Sequence, residues 1–163
     1  RLSRTRPKHQ PLRIVVDSRL RVPLNSRLVQ TACRYPTLIA TTRAASPSKI
    51  RRLEKVNVEV WALPKNSRGK VNLKILMKRL GDRDILSVLL EGGAQINASA
   101  LRARLVDRFL FFFAPKIVGG VRAPGLIGGE GARRLRDAMP LELLRVRRIG
   151  LDLLVEAKLP GKE

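Results

Sequence analysis

The chain has 163 residues, 44% hydrophobic and 29% charged, which favours one globular domain with a sizeable core and excludes the apolar depletion typical of disorder. One cysteine, Cys33, and one histidine, His9, exclude an intramolecular disulfide and a Cys/His metal cluster. The longest apolar runs are the length of a strand, far below the roughly 20 residues that cross a bilayer. No membrane span or signal peptide is predicted, and a reducing cytoplasm is the expected location.

The chain carries a large positive charge, with 34 Lys and Arg against 13 Asp and Glu and a net charge of +21. Such a field favours phosphate-bearing partners of any size, from a nucleotide to a nucleic acid. The basic residues occur in nearly every segment, and one Trp, one Tyr and four Phe are few for stacking on bases. Charge alone therefore does not identify the partner.

The first part of the chain predicts three strands and a helix. Residues 12–17 and 37–42 are short β-branched runs, and residues 56–63 alternate like a strand. Ser46 and Pro47 form an N-cap and first-turn pair that opens a helix through about residue 55.

The middle of the chain predicts a helix, a strand and a second helix. Asn72 is expected to cap the first helix, which ends at Gly81 and has an apolar face formed by Leu73, Leu76, Met77 and Leu80. Residues 85–90 predict a strand, and the helix that follows Gly92 and Gly93 is expected to direct inward Ile96, Leu101 and Leu105.

The last part of the chain predicts antiparallel strands. Residues 107–114 form a strand, a glycine-rich region follows to residue 131, and residues 141–149 and 151–159 flank Gly150 as a hairpin. The whole pattern predicts an α/β fold: a mainly parallel sheet flanked by helices, with antiparallel C-terminal strands, in a single domain over residues 1–163.

The glycine turn after residues 85–91 is a candidate phosphate site. In an open α/β sheet, ligands bind beyond the carboxyl ends of the strands, where helices begin. Gly92 and Gly93 have no side chains, so a ligand can approach the backbone, and the N–H groups at the helix start favour a phosphate. The alternative is that the two glycines only permit a tight connection.

Two other strand ends strengthen the phosphate interpretation. Ser18, Arg19 and Arg21 follow the first strand, and a hydroxyl with two guanidiniums suits the adenosine 2′-phosphate that distinguishes NADPH from NADH. Thr41 ends the second strand with another hydroxyl. If these ends are adjacent, they line one dinucleotide groove, in which Glu91 is an acidic partner for a polar heterocycle or else a surface glutamate.

These segments together resemble the reductase family of riboflavin biosynthesis. The similarity extends over essentially the whole chain, and the motifs stand in the order and spacing of the family. It is greatest to the stand-alone archaeal form that acts on 2,5-diamino-6-ribosylamino-4(3H)-pyrimidinone 5′-phosphate. It is carried by residues 11–25 (PLRIVVDSRLRVPLN), 38–42 (LIATT), 68–77 (RGKVNLKILM), 87–93 (SVLLEGG), 105–108 (LVDR) and 114–120 (APKIVGG).

The resemblance implies a dihydrofolate-reductase-like fold, a homodimer, and NADPH-dependent reduction of the ribosylamino group to a ribitylamino group. No metal and no catalytic side chain are implied. The implied substrate-binding residues are Glu91, Leu2, Arg4 and Arg6. The predicted cofactor-binding residues are Ser18, Arg19, Arg21, Thr41, Gly92, Gly93, Ala94, Gln95, Ile96, Asn97, Ala98 and Ser99.

One departure from the family concerns the start of the chain. Family members carry further residues before the position matched by Arg1, so we expect a chain truncated at its N-terminus. Three alternatives stay open: a reductase of the deaminated uracil analogue, an inactive remnant that retains dinucleotide affinity, and a basic nucleic-acid-binding protein. The last lacks a helix-turn-helix or aromatic RNA-binding pattern.

Overall fold

The computed structural model describes residues 10–120, 123 and 125–161. These residues form two compact units that divide between Leu86 and Ser87. Each unit contains one three-stranded sheet, and the parallel sheet with helices and the antiparallel C-terminal sheet both agree with the predicted fold class. The single-domain organisation stays a prediction.

The first unit contains the parallel sheet. Its strands β1 (Arg13–Val16), β2 (Thr37–Thr42) and β3 (Val58–Leu63) lie in the order β1-β2-β3. All six residues of the central strand β2 are buried. Because the three strands are parallel, their carboxyl ends meet at one edge of the sheet. The sequence predicted all three strands correctly.

One helix of the first unit precedes β2, and a second helix connects β2 to β3. Helix α1 (Arg27–Gln30) is one turn long, and α2 (Pro47–Glu54) begins at the predicted proline. The Ser46 hydroxyl bonds to that of Ser48 and does not cap the helix, so Pro47 supplies the start signal. One hydrophobic core cluster of this unit includes Leu20, Val29, Ile39, Leu53 and Val58.

Helix α3 (Leu73–Gly81) is capped, as predicted, by Asn72. The Asn72 side-chain oxygen accepts hydrogen bonds from the Lys74 and Ile75 N–H groups at 3.1 and 3.3 Å. These bonds satisfy two of the N–H groups that a helix start leaves without intrahelical partners. The helix buries Leu73, Leu76 and Leu80, three of the four apolar residues that the sequence places on one face.

The prediction of a strand over residues 85–90 is wrong. These residues are irregular, and neither three-stranded sheet includes them. A strand needs a neighbour to satisfy its backbone N–H and C=O groups, and an apolar run does not supply one. Leu86 and Leu89 are accordingly 97% and 71% exposed.

The second unit contains helix α4 (Ala94–Arg102) and strands β4 (Arg108–Phe113), β5 (Glu142–Ile149) and β6 (Asp152–Lys158). The sheet is antiparallel in the order β4-β6-β5, and Gly150 turns the predicted hairpin with φ +63°. In α4 the buried residues are Ala98 and Ala100, whereas the predicted inward residues are only half-buried. Small side chains, not the large apolar ones, therefore lie at the closely packed positions.

Much of the antiparallel sheet is exposed. All eight residues of the edge strand β5 are exposed, and Phe112 and Phe113 of β4 are more than half exposed. Within the described ranges, no helix has the length and apolar character needed to span a membrane.

Candidate functional site

The turn after β1 is held by Asp17. Its carboxylate accepts hydrogen bonds from the N–H of Val22 at 2.8 Å and of Arg19 at 3.3 Å. Leu20 adopts φ +53° and is 2% exposed, so it anchors the turn in the core. The carboxylate is thus used to fix the backbone, while Arg19 and Arg21 remain exposed at the carboxyl edge of the sheet.

Ser18 connects three segments of the first unit. Its carbonyl accepts a hydrogen bond from the Thr42 hydroxyl at 2.8 Å, at the end of β2. Its own hydroxyl accepts from the Val71 N–H at 3.1 Å, just before α3. An oxygen that accepts one bond still has its O–H to donate, so Ser18 is held in place and retains a donor for a ligand.

The two threonines at the end of β2 differ in their bonding. Both are buried, and the Thr42 hydroxyl donates to Ser18. The Thr41 hydroxyl is buried too, but it has no hydrogen-bond partner within the described part of the chain. A buried hydroxyl normally finds a partner, so Thr41 is an exception at the strand end where the sequence predicts a ligand.

Two ionisable groups lie away from this edge and have lowered pKa values. Burial lowers the pKa of Arg13, whose guanidinium bonds to oxygens of Thr31 and Tyr35 at 3.0 Å each. Burial alone would raise the pKa of Glu59, but hydrogen bonds from Arg83 and Trp61 lower it below its ordinary value. Both groups serve the packing of the first unit.

In the second unit, the two glycines before α4 have different roles. A Cβ on Gly92 would clash with the Ile96 side chain, so packing alone explains that glycine. Gly93 is the N-cap with φ −77°, and an added Cβ would meet no described atom within 4 Å. Neither packing nor backbone conformation requires glycine at position 93. The open space at Gly93 fits the predicted close approach of a ligand.

The start of α4 has backbone donors and no side-chain cap. Gly93 carries no side chain, and its carbonyl accepts from Ile96 and Asn97 N–H at 3.1 and 3.2 Å. The preceding N–H groups, those of Ala94 and Gln95, belong to the helix start, where intrahelical acceptors do not exist. Such groups suit a phosphate oxygen, which is the chemistry predicted for the turn.

Of three other predicted residues of α4, two form hydrogen bonds inside the protein and one is buried. The Asn97 amide donates to the Leu126 carbonyl at 2.9 Å, and the Ser99 hydroxyl donates to the Gln95 carbonyl at 2.8 Å. Ala98 is 3% exposed. Their role toward a cofactor stays a prediction.

The glycine-rich region packs on the start of α4. The Gly128 N–H donates to the Ala94 carbonyl at 2.8 Å. A Cβ on Gly128 would lie 2.9 Å from Gln95 Nε2 and 3.2 Å from the Ala94 carbonyl carbon. The sequence showed this region to be rich in glycine, but it gave no sign of the helix against which it packs.

The predicted substrate residues are placed only in part. Glu91 is exposed and directly precedes the glycine turn. Leu2, Arg4 and Arg6 lie outside the described residues. The residues that the structure describes contain no group of three or more His, Cys, Asp or Glu suited to a metal ion.

Comparison with solved structures defines the class of this protein. The chain is similar in fold to Acinetobacter baumannii RibD (form 2), with a TM-score of 0.74 and 20% identity over 90% of this chain and 37% of that one. It is also similar to a deaminase/reductase of Thermotoga maritima, with a TM-score of 0.69 and 21% identity. The fold is therefore the dihydrofolate-reductase-like fold of these reductase domains.

The family follows from the sequence comparison. The RibD C-terminal domain model matches residues 1–155, and the chain belongs to this family. It is 42% identical over 147 residues to the riboflavin biosynthesis protein RibD of Actinobacillus pleuropneumoniae. It is 37% identical over 155 residues to the 2,5-diamino-6-ribosylamino-4(3H)-pyrimidinone 5′-phosphate reductase of Methanothermobacter thermautotrophicus.

The chain spans different shares of these relatives. The match to the Actinobacillus protein covers 90% of this chain but only 39% of that protein. The match to the Methanothermobacter protein covers 95% of this chain and 69% of that one. The resemblance inferred from the sequence motifs is thus confirmed at the level of the family.

Proposed function

We propose that the chain catalyses the NADPH-dependent reduction of the ribosylamino group of 2,5-diamino-6-ribosylamino-4(3H)-pyrimidinone 5′-phosphate to the ribitylamino product. The observation that carries this proposal is the 37% identity over 155 residues to a reductase named for that substrate. A second relative of the same name, from Aquifex aeolicus, is 34% identical over 152 residues. The deaminated uracil analogue is the alternative substrate.

The residues at the two phosphate positions fit NADPH. Ser18 has a fixed hydroxyl that can donate, and Arg19 and Arg21 are exposed cations in the same turn, which suits the 2′-phosphate. The open backbone at Gly93 and the helix start that follows suit the pyrophosphate. The hydroxyl of Thr41, at the same strand end as Ser18, is buried without a partner in the described residues, so it can bond to the cofactor only after local rearrangement.

In this reaction the cofactor and the protein have different roles. When bound, the cofactor supplies the hydride that reduces C1′ of the sugar. The residues of the chain hold the two reactants in line, an effect that intramolecular models value at up to roughly 7–11 kcal/mol of barrier. Glu91, directly before the glycine turn, accepts hydrogen bonds from the amino groups of the pyrimidine. No protein nucleophile is needed.

We also propose a homodimer in the cytoplasm. The exposed apolar side chains of the antiparallel sheet support a second copy as their cover, because contiguous apolar surface on a soluble chain is usually covered by a partner. The oligomeric state in solution, measured by light scattering, tests this assignment.

The first experiment titrates the 163-residue chain with NADPH and separately with NADH, followed by fluorescence. Preference for NADPH supports the proposal, and turnover of the ribosylamino-pyrimidine phosphate then completes it. Glu91→Gln is expected to impair use of the substrate more than binding of NADPH. A defect confined to the cofactor would remove Glu91 from the substrate site.

The same titration, with a nucleic-acid titration at increasing salt beside it, separates the alternatives. A folded chain that binds neither cofactor contradicts the proposed function. Preference for NADPH without turnover identifies an inactive remnant. Binding to nucleic acid that decreases steeply with salt, without preference between the cofactors, identifies the basic nucleic-acid-binding protein.

A further inference from the structure

The loop between β3 and α3 is tightly organised. Residues 65–70, here called the cationic loop, have the sequence KNSRGK. The Asn66 side-chain oxygen accepts from the N–H groups of Arg68 and Lys70 at 3.0 Å each, and the Asn66 N–H donates to the Lys70 carbonyl at 2.7 Å. Gly69 turns the chain with φ +69°. The backbone that carries Arg68 and Lys70 is therefore fixed.

The cationic loop is joined to the turn after β1. Val71 directly follows the loop, and its N–H donates to the Ser18 hydroxyl at 3.1 Å. An antiparallel bridge between Lys65 and Val71 closes the base of the loop. Since Ser18 is the predicted contact for the cofactor, this bond places the loop next to a residue of the proposed 2′-phosphate site.

The charges at this edge of the sheet have one sign. Arg68 and Lys70 are exposed, and the nearby turn adds Arg19 and Arg21. Asp17 is the acidic residue of that turn, and its carboxylate already accepts two backbone N–H groups. The ion pairs Arg83–Glu59, Arg147–Glu156 and Lys158–Glu142 are formed by other residues. The positive field of the four cations is therefore available to an anion.

We propose that Arg68 and Lys70, together with Arg19 and Arg21, bind the adenosine 2′-phosphate of NADPH, and so set the preference for NADPH over NADH. This inference rests on the proposed function and adds residues to its cofactor site. A phosphate monoester carries a charge of about −1.5 to −2 at neutral pH, so cations from two neighbouring segments both stabilise it. Because the backbone of the loop is already fixed, phosphate binding costs less conformational entropy than it would in a flexible loop.

The test compares two double variants of the full chain. Arg68→Gln with Lys70→Gln removes two charges from the cationic loop. Arg52→Gln with Lys55→Gln removes two charges from exposed positions at the end of α2. Because α2 connects the end of β2 to the start of β3, that end lies at the opposite edge of the sheet. Dissociation constants are measured for NADPH, NADH and adenosine 2′,5′-bisphosphate.

The loop variant is expected to bind NADPH and the bisphosphate about tenfold more weakly, as two solvent-exposed ion pairs lost together would give. NADH should change by less than about twofold, because it lacks the 2′-phosphate. The control variant should leave all three constants within about twofold, since its charges are far from the site and screened. Urea unfolding verifies that both variants are folded.

Two results overturn the inference while leaving the proposed function intact. One is an unchanged dissociation constant for NADPH in the folded loop variant. The other is an equal weakening of NADPH and NADH, which would mean that the cations act only through the general field of the protein. If the unsubstituted chain binds neither cofactor, the proposed function itself fails, and the inference fails with it.

Discussion

Replacing Thr41 with Val gives a sharp test of the strand end. Val has nearly the shape of Thr but lacks the hydroxyl, and the Thr41 hydroxyl is buried without a described partner. A buried polar group without a hydrogen bond costs about 1–3 kcal/mol. Thr41→Val is therefore expected to stabilise the cofactor-free chain by about 1 kcal/mol, the low end of that range.

The neighbouring threonine provides the matched control. Thr42 is buried on the same strand, but its hydroxyl donates to the Ser18 carbonyl at 2.8 Å. Thr42→Val removes that bond and the longer bond, 3.4 Å, that the hydroxyl accepts from the Ala44 N–H, so we expect a loss of about 1 kcal/mol. The two variants should thus differ in sign and by about 2 kcal/mol in total, with identical changes in side-chain chemistry.

Urea unfolding followed by circular dichroism measures both effects through the shift of the midpoint at constant slope. In a chain of this size, about 1 kcal/mol also moves the melting temperature by about 2–4 °C. NADPH titration of the Thr41 variant then tests the predicted ligand role, for which weaker binding is expected despite the higher stability. If both variants were destabilised to the same extent, the reasoning from the unpartnered hydroxyl would be wrong.

Three further predictions concern other features. Gly93→Val should fold, because an added Cβ at that position meets no described atom within 4 Å, yet it should weaken NADPH binding by blocking the backbone. Unchanged affinity would remove the turn from the site. Asn72→Ala should destabilise the chain by about 1 kcal/mol through loss of the helix cap, measured by urea unfolding, whereas Asn72→Asp should retain most of the stability. The pKa of Glu59 is lowered in the folded chain, so its contribution is present above the unfolded pKa and is lost as pH falls through the folded pKa. Glu59→Gln should therefore lower the free energy of unfolding by about 0.5 kcal/mol at neutral pH, since the pair with Arg83 is partly exposed. The difference in stability between variant and parent should disappear in acid. A difference independent of pH would exclude this electrostatic origin.

The sequence predicted the elements whose signals are local. The β-branched run of β2, the proline at the start of α2 and the cap at Asn72 each define an element within a few residues. The strand predicted over residues 85–90 failed because an apolar run shows burial potential but not a pairing partner. Local sequence pattern therefore predicts helices and well-paired strands. It does not predict the structure of a segment whose pairing depends on residues distant in the sequence.

The candidate site was predictable only in part for the same reason. Ser18 is visible as a hydroxyl after a strand, but its bond to Val71 joins residues 53 positions apart. The contact of Gly128 with Ala94 likewise has no signal in either segment alone. The charges of the cationic loop are present in the sequence of residues 65–70, but the long-range bond that places the loop beside Ser18 is not.

The edge strand β5 has a consequence for the behaviour of the chain in solution. An exposed edge is a template for pairing with other chains, and cationic side chains are a common protection against aggregation. β5 carries Arg145, Arg147 and Arg148, all exposed. Arg147 pairs with Glu156, and at low ionic strength we expect the remaining positive charge to oppose the pairing of edges from different copies. Polyanions that neutralise these arginines would remove that barrier, so copurifying nucleic acid would promote precipitation of this chain.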